Sequence, residues 1–155
     1  MSLTDETKKE DNIIDLNIEG IKKSRFRING DPNSVIELNL SDLRIYERLE
    51  KGLAKLEEEM RKIAEVSNDS EDLSKVLNEA DAKMCDWLDY IFDSPISRVF
   101  SKTGSMYDPF NGMFRYEHII DSLTKLYTNN LNDEYKKMKV RIQKHVSKYT
   151  KGKKK

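Results

Sequence analysis

Residues 42–92 read DLRIYERLEKGLAKLEEEMRKIAEVSNDSEDLSKVLNEADAKMCDWLDYIF, and their spacing decides the fold. In the first half, Tyr46, Leu49, Leu53, Leu56, Met60 and Ile63 recur in steps of three and four. Such steps lay one apolar seam along a helix. Glu47, Arg48, Lys55, Glu57, Glu58 and Arg61 fill its other faces. Ser41 is placed to cap this helix, with Asp42 favouring its positive end. Gly52 lies inside it and costs about 1 kcal/mol relative to alanine. Ser67-Asn68-Asp69-Ser70 then interrupts the pattern and offers new N-caps. A second seam follows through Leu73, Leu77 (or Val76), Ala80, Met84, Trp87 and Ile91. The spacing predicts helices over about 42–66 and 70–92. So short a connection predicts an antiparallel helical hairpin. Each large side chain buried along it contributes roughly 1.5–3 kcal/mol, an upper value because denatured chains are partly compact. The seams pair within one chain or between subunits, and spacing alone leaves both open.

Upstream, Phe26-Arg27-Ile28 alternates apolar and polar residues, and Ile36, Leu38 and Leu40 alternate with Glu37 and Asn39. Asn29-Gly30-Asp31-Pro32-Asn33 lies between them, so the pair reads as a β-hairpin with a long turn. An isolated hairpin is marginal in water, so its apolar face must lie on a helix or another chain. Downstream, Asp93-Ser94-Pro95 ends the second helix, and residues 96–100 read as a short helical turn. Ser101 to Gly112 reads as a loop with Gly104, Pro109 and Gly112 as breakers, its aromatic exit pinned to the core. A last helix opens near Arg115 or Tyr116. Its apolar positions run Ile119, Ile120, Leu123, Leu126, Tyr127, Leu131, Tyr135, Met138 and Ile142, with Asn129-Asn130 as a point of interruption. The expected fold is α+β and mainly α. A short N-terminal β-hairpin packs on an antiparallel helical hairpin, and a long C-terminal helix follows. Residues 1–23 read as a flexible segment, 24–150 as one domain and 151–155 as a disordered basic tail.

The chain has 155 residues, enough for one core, and 36% of them are charged against roughly 25% in an average domain. Formal net charge is zero but unevenly spread, since residues 136–155 hold ten Lys or Arg and no acid. That polarity is something a partner can read. A single cysteine, Cys85, excludes an intrachain disulfide and fits a reducing, cytoplasmic setting. No apolar run of membrane-spanning length and no signal-peptide pattern is present.

The sequence carries no phosphate loop, no paired-cysteine zinc spacing and no glycine-flanked nucleophilic serine. Asp86, Asp89 and Asp93 fall on one helix face, a stripe able in principle to hold a hard cation but read here as a solvated face. Cys85 with His118 lacks an orienting third group and reads as a core thiol. No catalytic residue, metal site or cofactor is expected, and the protein reads as a binding module rather than an enzyme. The basic end is the feature with most functional weight. Lys144, Lys148 and Lys151 are its candidate contacts, and Tyr135 and Tyr149 add stacking surfaces for nucleic acid. A solvated helix end and a dock for an acidic protein are the other readings.

The order of elements resembles the tail assembly chaperones of phages that infect Gram-positive bacteria. The similarity runs through the hairpin Phe26-Arg27-Ile28-Asn29-Gly30 with Ile36-Glu37-Leu38, and through the charged helix opening after Leu40-Ser41-Asp42. It continues in Trp87-Leu88-Asp89-Tyr90-Ile91-Phe92 followed by Ser97-Arg98-Val99-Phe100, and in the basic ending from Tyr135-Lys136-Lys137 to Lys148-Tyr149-Thr150-Lys151-Gly152-Lys153. The family often has Gly after the phenylalanine at the Phe92 position, where this chain has Asp93-Ser94. The resemblance implies a non-enzymatic role in the cytoplasm of an infected host. There the protein binds the apolar stripes of the tape measure protein and gives way to tail tube protein, with self-association into a homo-oligomer and no membrane contact. Tyr90, Phe92, Phe100, Phe110 and Phe114 are the expected aromatic anchors for such a partner.

Overall fold

The computed structural model describes residues 12–65 and 70–153. Two strands, β1 (Ser24–Arg27) and β2 (Val35–Leu38), lead into α1 (Ile45–Glu65) and α2 (Ser70–Phe92). A four-residue α3 (Ser97–Phe100) and a 3-10 turn (Ser101–Thr103) follow. A second hairpin, β3 (Pro109–Phe110) with β4 (Met113–Phe114), precedes α4 (Arg115–Lys153). The fold is therefore α+β and mainly helical.

The β1–β2 ladder is antiparallel, with Phe26 opposite Ile36 and Ser24 opposite Leu38. Its turn resolves into two steps. Asn29 and Gly30 both take positive φ, 51° and 75°, while Asp31 N donates to the Ile28 carbonyl. That geometry is a type I′ turn, which suits the Asn-Gly pair. A second turn closes as Ser34 N donates to the Asp31 carbonyl and Ser34 Oγ donates to Asp31 Oδ2 at 2.6 Å. Ile36 and Leu38 bury themselves in the common core while Glu37 stays in water. Alternation thus seats one face of the hairpin on the helices.

The two seams pair within the chain. Arg48 Nε donates to the Ile91 carbonyl, and Glu59 meets Lys83, so α1 and α2 run antiparallel. The buried line of α1 differs from the expected seam. Ile45, Gly52 and Leu56 are buried, whereas Tyr46 and Leu53 are exposed. Gly52 causes the shift, because a Cβ there would lie 2.7 Å from Ile91 Cγ1. Where the glycine lacks a side chain, the helices approach closely, and the contact line rotates onto it.

The start of α1 also differs. Among the described residues no cap bond from Ser41 is formed; Asp42 instead makes an Asx turn just ahead of the helix, accepting from Arg44 N at 3.0 Å, and also accepts from Arg48 Nη2 at 2.8 Å. Burial disfavours the Asp42 carboxylate, but the Arg48 and Arg44 N–H bonds outweigh it and hold its pKa below the usual value. On α2, Ala80, Met84, Leu88, Ile91 and Phe92 form the buried stripe, with Trp87 half-buried. The helix ends in a Schellman arrangement. Asp93 takes φ 48°, Asp93 N donates to the Tyr90 carbonyl and Ser94 N donates to the Asp89 carbonyl.

The stretch expected to be a loop contains the second hairpin. Asn111 and Gly112 take φ of 54° and 78° between the Phe110–Met113 pair, another type I′ turn. Met106 and Tyr107 bury themselves, so the segment is pinned to the core as expected. Glu117 Oε2 accepts from Phe114 N at 2.7 Å, half of a capping box that starts α4. Asn129-Asn130 does not interrupt α4. Asn130 Nδ2 instead donates to the Leu40 carbonyl, tying helix to hairpin.

Beyond that tie α4 projects, and every residue from 132 to 148 is exposed. The helix continues to Lys153, so residues 151–153 are helical rather than a disordered tail. The hydrogen-bond ladder of the helix continues there. Residues 154 and 155 lie outside the described residues, as do 1–11 of the N-terminal segment. Residues 12–23 form no strand and expose Ile13, Ile14, Leu16, Ile18 and Ile21. Among the described residues no helix is long and apolar enough to cross a membrane.

Candidate functional site

One face of α4 supplies Arg115, His118, Ile119, Ser122, Leu123 and Leu126, which recur at helical spacing. With β1 and its turn opposite, and α3 and the second hairpin at the end, this face makes an open groove of about 1090 Å³. Ile119 and Leu123 form its buried floor. Half-buried Phe26, Ile28, Val99, Phe100 and Leu126 form its walls, and Phe110, 73% exposed, stands at the rim. Arg115 to Leu126 is twelve residues, and the eleven steps between them span roughly 16 Å, about three turns of a helix.

Several polar groups of the groove are engaged with their neighbours. Arg115 Nη2 meets Asp108 Oδ2 at 3.4 Å, and its Nη1 donates to the Phe100 carbonyl and to Thr103 Oγ1. Asp108 Oδ2 also accepts from Ser105 N, and Lys102 Nζ donates to the Asn33 carbonyl. His118 Nε2 lies 2.8 Å from the Phe110 carbonyl. These bonds fix the walls, and what the groove presents to solvent is mainly apolar area.

Three side chains of α2 hold α3 and its following loop in place. Asp81, Cys85 and Asp89 recur every four residues on one face. Asp89 accepts from Ser97 N at 2.8 Å and Ser97 Oγ at 2.9 Å, Cys85 Sγ lies 3.4 Å from Ser101 Oγ, and Asp81 accepts from Met106 N at 2.7 Å. Asp89 is therefore a bonded acid and not part of a solvated stripe with the exposed Asp86 and Asp93. Among the described residues no group of three or more His, Cys, Asp and Glu is arranged to hold a metal.

Cys85 and His118 do not meet; each bonds elsewhere. Burial raises the Cys85 pKa, and the negative charges of Asp81 and Asp89 push it the same way against the Ser101 bond. A raised pKa means less thiolate at any given pH. Iodoacetamide should therefore alkylate native Cys85 slowly at pH 7, faster as pH climbs, and at the ordinary thiol rate in urea. Mass spectrometry of quenched samples reads the rate. Labelling of the native protein at the unfolded rate would contradict this placement.

The five expected anchors separate. Phe100 and Phe110 line the groove. Phe114 is half-buried and packs against Tyr107 and Tyr116 at its end. Phe92 is 2% exposed and lies 6.1 Å from the Tyr127 ring, so it is a core residue and not an anchor. It terminates the buried stripe of α2, four residues after Leu88. Tyr90 is exposed away from the groove, edge-on to Trp87. Lys144 and Lys148 are exposed on the projecting part of α4, and the Lys151 side chain lies outside the described residues. Phe26, Ile28 and Leu126 were not expected as site residues. Their apolar periodicity was readable, but it fits a core as well as a wall. Compared with family models, with curated proteins and with solved structures, the chain matches none.

Proposed function

We propose that this protein is a non-enzymatic tail assembly chaperone that holds an apolar helical stretch of the tape measure protein and yields it to tail tube protein in the host cytoplasm. The groove beside α4 carries the reading. Its length suits about three turns of an amphipathic helix, its floor is aliphatic, and aromatic rings stand along its walls and rim. A second support is the Asp93 turn, whose left-handed conformation sits where the resembled family often has glycine. Binding in an open groove is weak enough for displacement, and repeated contacts along a long partner compensate.

The test uses labelled fragments of a phage tape measure protein, titrated by fluorescence anisotropy. Fragments carrying apolar helical seams should bind. Phe110→Glu and Leu126→Glu, at the rim and wall, should weaken them about ten- to thirty-fold, the scale of a single hot-spot residue. Tail tube protein should compete. No binding by any fragment, or equal binding by both variants, overturns the reading.

The basic projection of α4 favours a second reading, nucleic-acid binding. Lys136, Lys137, Lys139, Arg141, Lys144 and Lys148 are all exposed on it. That reading requires binding that falls steeply with salt.

A further inference from the structure

The projecting part of α4 has an order of its own. Leu131, Tyr135, Met138 and Ile142 recur in steps of four and three, so they share one face. Tyr135, Met138 and Ile142 are 56%, 44% and 51% exposed. Lys136, Lys137, Lys139 and Arg141 flank that stripe. Within the chain these apolar groups remain in water.

A matching surface exists on α1 and the turn before it. Leu43, Tyr46 and Leu53 are exposed at steps of three and seven, on the face left over when Gly52 rotated the helix contact. Glu50 and Glu57 follow Tyr46 and Leu53 by four residues each, so both stand in the same stripe. Neither makes an ion pair among the described residues, whereas Glu47 and Glu58 hold Lys51 and Lys55. The stripes have similar lengths, eleven residues from Leu43 to Leu53 and twelve from Leu131 to Ile142.

Charge states what covers them. The chain holds 28 cations and 28 acids, and ten of the cations lie in the last twenty residues, so the first 135 carry an excess of ten acids. A basic rod therefore projects from an acidic body. Two rods repel each other as a coiled coil, while rod and body attract. We infer that the projecting part of α4 docks onto the outer face of α1 in a second copy. The contact is heterologous, so each copy retains one free rod and one free face, and copies add head to tail into open chains or rings. This surface lies apart from the groove, and the inference does not depend on what the groove binds.

The experiment is sedimentation velocity of the full chain, nuclease-treated, over a concentration series at low and high salt. The wild type should sediment as species larger than the 18.2 kDa monomer, in amounts that grow with concentration and shrink in 0.5 M salt. Met138→Glu with Ile142→Glu should give monomers with an unchanged circular dichroism spectrum, since both positions are exposed. Glu50→Lys with Glu57→Lys should also give monomers, as should Lys136→Glu with Lys139→Glu. Mixing these last two proteins should restore assembly, because each reversed rod then faces a reversed surface. Phe110→Glu should assemble normally. A wild type that is monomeric throughout, larger species that persist in the rod variants, failure of the mixture to assemble, or assembly only when DNA or RNA is added would each overturn the inference.

Discussion

Gly52→Leu should destabilise the protein by about 1–3 kcal/mol, the scale of an overpacked core. Gly52→Ala should fail to deliver the roughly 1 kcal/mol that alanine ordinarily adds to a helix interior. A Cβ at this position would stand 2.7 Å from Ile91 Cγ1 and closer to its Cδ1, with Trp87 Cε3 at 3.8 Å behind. Relief requires α1 and α2 to separate. Separation stretches the Arg48 bond to the Ile91 carbonyl, 2.8 Å in the native fold. Thermal unfolding measures the effect, since each kcal/mol moves the midpoint by about 2–4 °C in a domain of this size. A double-mutant cycle isolates the cause. Ile91→Ala alone should be costly, yet in its presence Gly52→Ala should turn neutral or stabilising, because the clashing atoms are gone. Additive losses would show that the two residues do not oppose each other.

That glycine illustrates what the sequence disclosed. Reading along the chain registers Gly52 as a local penalty and Leu53 as the seam residue, because periodicity counts side chains and not the distance between helices. Element order and type were legible, since long amphipathic runs and turn formers act locally. The second hairpin is hidden in the sequence although Asn111-Gly112 is the same pair as Asn29-Gly30. Its strands are two residues each, too short to show alternation. Asp89 falls on a solvated stripe in the sequence because nothing local tells that Ser97 folds back onto it. The groove was legible least of all, since its walls come from positions as distant as Phe26 and Leu126. An apolar residue on a helix announces burial without saying whether the cover is its own chain or another.

Phe92→Ala should cost about 3–5 kcal/mol, the range for truncating a buried aromatic side chain. The ring is 2% exposed at the end of the α2 stripe, beside Tyr127 and one residue from the left-handed Asp93. Removing it leaves a cavity where α2, its closing turn and α4 converge, and polar backbone on either side restrains collapse. A second readout locates the damage. Burial pushes the Tyr127 hydroxyl up to about 12, because the phenolate is disfavoured away from water. Opening the site to solvent weakens that penalty, so Tyr127 should ionise at lower pH, nearer the ordinary value of about 10. Ultraviolet titration of the variant against Tyr127→Phe resolves the shift. Phe110→Ala, at an exposed rim position, should leave both stability and the Tyr127 titration unchanged within about 0.5 kcal/mol. If the two substitutions proved equally mild, Phe92 would not be the keystone of this junction, and the separation of core ring from groove ring would fail with it.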